Sequence, residues 1–299
     1  MGLREGSSWN NAILDGWLPE YNLFHIDEAV HYGTIICNLL SDAGQIDQWS
    51  HIKPNIYEGN TLYFSHGFGV TFNHLTHIVP PDNIDVIMVS PKASGNTVRS
   101  KYLDSTGISC SYAIEQDYSG NAEETALSMA FSIGANMAFK TTFEKEVFSD
   151  LLGERCVLMG LIQGAFSAQY KFLRKNGHSA LEAYNETVEE ALNSLYPLIN
   201  ENGMDHLYRN CSTTAQRGAL DWAPKFENRI YPIIEKCYDQ VKSGEEAKRV
   251  IRECSKEDYR NRLEEELEII DKSELWNVAR QVRSIKDKKK KNKWEGALL

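Results

Sequence analysis

The sequence is poor in three features, and each shortage excludes a class of protein. No stretch approaches the roughly 18 consecutive apolar residues that span a bilayer, and the opening MGLREGSSW lacks the apolar core of a signal peptide, so no membrane partner is expected. Positive charge is short: 32 Lys and Arg stand against 42 Asp and Glu, a net charge of −10. That balance argues against nucleic acid, whose phosphates need clustered cations, and favours small molecules or metal cations. The six cysteines (37, 110, 156, 211, 237 and 254) form no Cys-x-x-Cys pair, so neither a zinc knuckle nor a disulfide framework is indicated and a reducing cytoplasm is the expected compartment. Also missing is a G-x-G-x-x-G turn, the backbone cradle that holds a pyrophosphate at a helix N-terminus; HGFGV does not fit it.

A hydrophobic share of 42% over 299 residues supports a sizeable core in one large domain or two ordinary ones. Up to about residue 142, short β-branched runs (34–40, 61–66, 84–91 and 109–114) recur between helix-like segments, which predicts a parallel α/β sheet. Beyond it, long helical patterns take over. Asn176-Gly177 closes one helix and Ser179 with Glu182 forms a capping box that opens the next. The lysine-rich run Lys286–Lys293 predicts a solvated basic tail over 286–299.

Ligands of open α/β sheets sit beyond the carboxyl ends of strands, and here successive strands end at Asp42, His66 and Lys92. A helix over 146–174 would set Glu146, Asp150 and Glu154 on one face at successive i, i+4 steps, at the mouth of a run that is apolar nearly all round and so expected to be buried. Such carboxylates repel one another and are costly to desolvate unless paired with Lys145 or Arg155, or bound to a hard cation such as Mg²⁺. Glu186 and Glu190 form a second pair, pointing away from the stripe of Val188, Ala191 and Leu195; alone they read as a solvated face, and they gain a role only if another chain packs there.

Seven stretches, in order, resemble ketol-acid reductoisomerase: LREGSSW, GTIICNLLSDAGQ, LYFSHGFGV, VIMVSPKASGNTVR, TTFEKEVFSDLLGE, AYNETVEEALNSLYPLI and CSTTAQRGALDW. The resemblance implies a Mg²⁺-promoted alkyl shift in a 2-acetohydroxy acid followed by NADPH reduction to a 2,3-dihydroxy acid, in valine, leucine and isoleucine synthesis. It implies two Mg²⁺ ions held by Asp150, Glu154 and, from the partner subunit, Glu186 and Glu190. By the same resemblance, His66 and Lys92 are catalytic, Ser212 holds the substrate carboxylate, and Arg4, Ser7, Ser8, Asp42, Gln45 and Gly95 contact the cofactor. It further implies a Rossmann-like domain over 1–142 and a knotted all-helical domain over 143–285, as in the short class of the family, with sites shared in a homodimer or larger homo-oligomer.

The chain departs from the family pattern at its start, where the resemblance begins abruptly at GLREGS without the first strand and the Gly-rich turn. A truncated Rossmann-like parallel sheet domain followed by helices is therefore expected. Two readings follow: a reductoisomerase read from an incomplete gene, or a non-catalytic Mg²⁺-binding dimer with impaired NADPH binding. A Mg²⁺-independent hydroxy-acid or phosphogluconate-type dehydrogenase also accounts for an α/β half followed by helices, but not for the four placed carboxylates.

Overall fold

The computed structural model describes residues 1–295, with side chains through residue 287. Two compact units emerge, Met1–Leu151 with Val241–Cys254, and Leu152–Gln240 with Ser255–Leu299. The first is built on a five-stranded sheet in the order β1 (Ile35–Asn38), β2 (Thr61–Phe64), β3 (Asp85–Pro91), β4 (Ile108–Gln116) and β5 (Ala135–Lys140). Its main helices are α1 (Ser7–Leu14), α2 (Ile26–Tyr32), α3 (Asp42–Ile52), α4 (Gly95–Leu103) and α5 (Ala122–Ser132), and α6 (Phe143–Arg155) begins within it.

Alternation of side chains across the pleat splits the core in two. Leu62, Phe64, Val86 and Met88 pack with Ile26, Val30, Trp49 and Ile52 of α2 and α3 on one face. Tyr63, Ile87 and Val89 pack with Ala122, Ala126 and Ala130 of α5 on the other. With both faces covered, β2 and β3 are apolar over most of their length, which is why they read as near-continuous runs. Each large side chain removed from water there contributes about 1.5–3 kcal/mol.

The sheet is mixed rather than wholly parallel: β1–β2, β2–β3 and β4–β5 are parallel, but β3–β4 is antiparallel. No fully buried crossover helix carries the chain from β3 to a parallel partner: α4 has no fully buried residue, although its Val98 packs against the core on the α5 face. The chain instead returns at the edge it left, with Pro91 paired to Cys110 and the Lys92 N–H bonded to the Ser109 carbonyl. A parallel partner would need a helix with an apolar stripe lying across the sheet. β5 was not visible in the sequence because this edge strand is largely exposed and lacks a clean alternation.

The first unit extends to Leu151, past the expected division at 142/143. Val147, Phe148 and Leu151 of α6 pack with Phe68, Phe72 and Val241, which ties the start of the helix to the sheet. The expected continuous helix over 146–174 is interrupted: α6 ends at Arg155 and α7 (Gly160–Lys175) starts anew. Between them the backbone slips to i−5 bonding, Leu158 N–H to Gly153 O at 2.9 Å and Leu161 N–H to Cys156 O at 2.8 Å. A Cβ on Gly160 would lie 2.2 Å from the Arg155 carbonyl, so only glycine fits this turn. Contrary to the expected burial, Val157, Leu158 and Met159 are exposed.

The second unit is helical. Asn176-Gly177 ends α7, with Gly177 at φ +91°, and the Ser179–Glu182 capping box opens α8 (Ala180–Tyr184) as expected. The helix continues with π-type winding over Asn185–Glu189 and Ala191–Leu195. Next come α9 (Thr213–Lys242), α10 (Glu245–Cys254, part of the first unit), α11 (Tyr259–Asp271) and α12 (Glu274–Glu295). Phe166 and Tyr170 of α7 pack with Tyr184, Val188, Leu275 and Ala279, and Arg174 grips Glu274 through two 2.9 Å hydrogen bonds. Lys286, at the start of the expected basic tail, pairs with Glu189. The side chains from 288 onward lie outside the described residues. None of the six cysteines is in a disulfide, and among the described residues no helix is long and apolar enough to cross a membrane.

The alanine stripe of α5 sets its distance from the sheet, and Ala126 is fully buried. Ala126→Leu should therefore cost about 1–3 kcal/mol through overpacking, read from the urea midpoint. An unchanged midpoint would show that α5 does not pack as described.

Candidate active site

Because β1, β2 and β3 are mutually parallel, their carboxyl ends share one edge of the sheet. Asp42 begins α3 just beyond β1, His66 follows β2, and Lys92 follows β3. α6 brings Glu146 and Asp150 to the same place, one turn apart. Its approach depends on Gly67, since a Cβ there would meet Phe143 at 2.8 Å and Val147 at 3.1 Å.

Glu146 is the centre of the cluster, with 1% of its side chain exposed. Its Oε1 accepts hydrogen bonds from Ser90 Oγ at 2.6 Å and Lys92 Nζ at 2.7 Å. Its Oε2 lies 3.2 Å from His66 Nδ1, which in turn lies 3.4 Å from Asp150 Oδ2. Neither His66 Nδ1 nor Glu146 Oε2 has a partner in hydrogen-bond geometry, although both are buried. The two groups lie within ion-pair distance, and the lone pairs of Glu146 Oε2 remain open.

Burial raises the cost of ionising Glu146, but His66, Lys92 and Ser90 more than compensate and hold its pKa down to about 2. Burial pushes His66 down, yet Glu146, Asp150 and Asp42 together raise it above the usual imidazole range. Asp42 is raised, first by burial and then by Asp150, with His66 opposing. One ligand atom each from His66, Glu146 and Asp150 lies within 4.8 Å of the others. A buried, partnerless carboxylate oxygen facing a second carboxylate is a donor arrangement that fits a hard cation.

The other sequence-predicted residues fall in separate places. Glu154 is one turn beyond Asp150 on α6, its side chain half-exposed with Arg155 at 3.8 Å. Glu186 and Glu190 are exposed on the π-wound stretch of the helical unit, as their orientation in the sequence predicts. Ser212 caps α9, its Oγ accepting from Ala215 N–H at 3.2 Å. Ser7 and Ser8 open α1, and Arg4 makes an exposed contact with Asp47 at 3.1 Å, a pair worth well under about 1 kcal/mol and easily exchanged for another anion. Gln45 is buried, with its Nε2 donating to the Leu40 carbonyl at 3.0 Å. Gly95 opens α4, and nothing lies within 4 Å of where its Cβ would be.

Sequence reading placed Glu146 in the i, i+4 ladder without giving it a role, and it missed Ser90. The usable signal was the spacing of Glu146 from Asp150. Its true partners lie 54 and 56 residues away and on another element. The expected alternatives, Lys145 and Arg155, are not among the groups bonded to it.

In metal-free protein, a depressed carboxylate pKa contributes stability that is full above about 4.5 and is lost as pH falls toward about 2. Glu146→Gln strands Lys92 and should destabilise the chain by about 3–5 kcal/mol at neutral pH. In urea denaturation with a chelator present, the gap between wild type and variant should close as the pH is lowered through this window. A gap independent of pH would contradict the assignment.

Comparison with known proteins gives the family of the chain. Residues 1–138 match the NADPH-binding domain of acetohydroxy acid isomeroreductase, and residues 143–288 match the C-terminal domain of ketol-acid reductoisomerase. The chain is 52% identical over 97% of its length to the mitochondrial ketol-acid reductoisomerase of Neurospora crassa, covering 73% of that protein. It is 51% identical over 98% of its length to the NAD(+) ketol-acid reductoisomerase of Desulfosudis oleivorans, covering 84% of that protein. A solved NADH-preferring ketol-acid reductoisomerase from an uncultured archean superposes with a TM-score of 0.82 at 30% identity, over 95% of this chain and 84% of that one. With both halves matched and the acidic cluster formed at the carboxyl edge of its sheet, the chain belongs to the ketol-acid reductoisomerase family, nicotinamide-nucleotide-dependent oxidoreductases of branched-chain amino acid biosynthesis.

Proposed function

We propose that this chain is a Mg²⁺-dependent, NADPH-using enzyme that converts 2-acetolactate and 2-aceto-2-hydroxybutyrate to 2,3-dihydroxy acids. The observation that carries the metal reading is the pair of carboxylates, Glu146 Oε2 and Asp150 Oδ2, converging on His66 Nδ1, with the buried Glu146 Oε2 left without a hydrogen bond. Asp150 and Glu154 would hold two Mg²⁺ ions, and Glu186 and Glu190 of the partner subunit would complete the set. Mg²⁺, when bound, supplies Lewis acidity toward the hydroxyl and carbonyl oxygens of the substrate.

The rearrangement moves an alkyl group from the hydroxyl-bearing carbon to the neighbouring carbonyl carbon. The first oxygen loses a proton and becomes a carbonyl; the second gains one and becomes a hydroxyl. Mg²⁺ prefers oxygen donors, so the imidazole of His66 is better used as a holder of a proton at Nδ1 than as a ligand. Lys92, fixed on Glu146 Oε1, keeps positive charge beside the reacting oxygens. Ser212, at the N-terminus of α9, suits the substrate carboxylate because its hydroxyl sits at the positive end of a helix dipole.

NADPH supplies the hydride for the second step. Arg4, with Ser7 and Ser8 at the start of α1, suits a ribose phosphate, while Asp42, Gln45 and Gly95 line the carboxyl edge along which the nucleotide would lie. Relatives are named for either NAD(+) or NADP(+), so the choice of nucleotide rests on the Arg4 loop. A homodimer or larger assembly, interlocked through the helical unit, is supported by large apolar side chains left in water: Val157, Leu158 and Met159, and Trp222, Phe226 and Ile233 of α9. Cysteines outside disulfides fit any reducing compartment, the expected cytoplasm or the mitochondrion for which the fungal relatives are named. The named relatives are reductoisomerases, which disfavours both the non-catalytic dimer and the metal-independent dehydrogenase.

Asp150→Asn should abolish Mg²⁺-dependent isomerisation of 2-acetolactate while leaving the circular dichroism spectrum unchanged; retained isomerisation would overturn the metal assignment. Arg4→Ala should raise KM for NADPH about tenfold with little change for NADH, as expected for a lost charge-assisted contact. Equal effects on both nucleotides would remove Arg4 from phosphate recognition.

A further inference from the structure

We infer that Ser90 is a positioning residue that divides the labour of the Glu146 carboxylate, anchoring one oxygen so that the other stays turned toward the cation. The inference rests on the Mg²⁺ reading above. Ser90 is buried near the end of β3, and its hydroxyl is used twice: Oγ donates to Glu146 Oε1 at 2.6 Å and accepts from Lys92 Nζ at 3.2 Å. Lys92 closes the triangle with its own 2.7 Å bond to Oε1. One carboxylate oxygen therefore receives two hydrogen bonds while its twin, Oε2, receives none and faces His66 and Asp150.

That asymmetry has a mechanical meaning. A carboxylate held at one oxygen by a flexible lysine alone can rotate about its terminal bond and present either oxygen to the cation. Ser90 projects from a central strand and brings a short, stiff donor with few rotamers, so a second bond at a fixed angle sets the plane of the carboxylate. The same hydroxyl steers the Lys92 ammonium onto Oε1 and away from Oε2 and from Asp150, where its charge would compete with the cation. Ser90 acts through Glu146 and Lys92 and is not itself placed against substrate.

The register of the sheet supplies a control. Ser111 on β4 is paired directly with Ser90, is equally buried, and its Oγ has no hydrogen-bond partner. Removing it deletes a hydroxyl from the neighbouring strand without touching the Glu146 network.

The test is calorimetric titration of Mg²⁺ into the purified full chain, with steady-state kinetics in parallel, for wild type and for Ser90→Ala, Ser90→Thr, Ser111→Ala and Asp150→Asn. Ser90→Ala should weaken Mg²⁺ binding about tenfold, the scale usual for losing a group behind the metal ligands that orients the charge facing the cation, and lower kcat with KM for the nucleotide unchanged. Ser90→Thr, which keeps the hydroxyl, should restore affinity to within about twofold, and Ser111→Ala should leave it at the wild-type value. If Asp150→Asn loses Mg²⁺ while Ser90→Ala binds like wild type, the Ser90 inference is wrong and the metal reading stands. If wild type and Asp150→Asn titrate alike, the metal reading fails and this inference with it. An equal loss in Ser111→Ala would mean that any buried hydroxyl of the sheet has the effect, which also overturns it. Should Ser90→Ala not fold, Ser90→Cys keeps the volume with a weaker donor, and an intermediate affinity is required of it.

Discussion

A carboxylate with 1% of its side chain exposed stays ionised only if donors and cations are delivered to it, and Glu146 draws them from two other stretches of chain. Ser90 and Lys92 come from the end of β3, His66 from the loop after β2, and Glu146 itself from the first turns of α6. Each delivery imposes a structural demand. β2 and β3 must be parallel neighbours so that His66 and Lys92 emerge at one edge, and Gly67 must lack a side chain so that α6 can close on that edge. The two apolar faces of the sheet supply the burial energy that offsets desolvating the cluster.

The outcome is a site with spare electrostatic capacity. Glu146 is kept ionised by its neighbours, His66 is kept protonated to higher pH by three carboxylates, and two buried polar atoms remain without hydrogen-bond partners. One ionised, buried oxygen, Glu146 Oε2, is left facing His66 and Asp150 without a hydrogen bond, a donor arrangement that suits a hard cation. The chemistry assigned to the family, in which negative charge develops on substrate oxygens, suits such a place.

Much of this was legible from residues alone, and the limits have physical causes. Continuous apolar runs announced β2 and β3, strand ends pointed to Asp42, His66 and Lys92, and the Ser179–Glu182 capping box marked α8 because its signal is local. What escaped depended on distant contacts. The antiparallel β4 is set by its pairing with β3, β5 is an exposed edge, and the break after α6 arises from a glycine-only turn inside an apolar sequence. The burial of Glu146 escaped for the same reason, since helical periodicity reports which residues share a face and is silent about a lysine 54 positions away. The Ser90 hydroxyl sat unremarked inside an apolar strand.

The most direct test of the central claim, that this acidic cluster is a cation site, is an anomalous difference map from crystals of the chain grown with Mn²⁺ in place of Mg²⁺. The account predicts a peak within about 2.5 Å of Asp150 Oδ2, on the side faced by Glu146 Oε2. A map with no peak near Asp150, from crystals diffracting well enough to show the ordered side chains of α6, would contradict it.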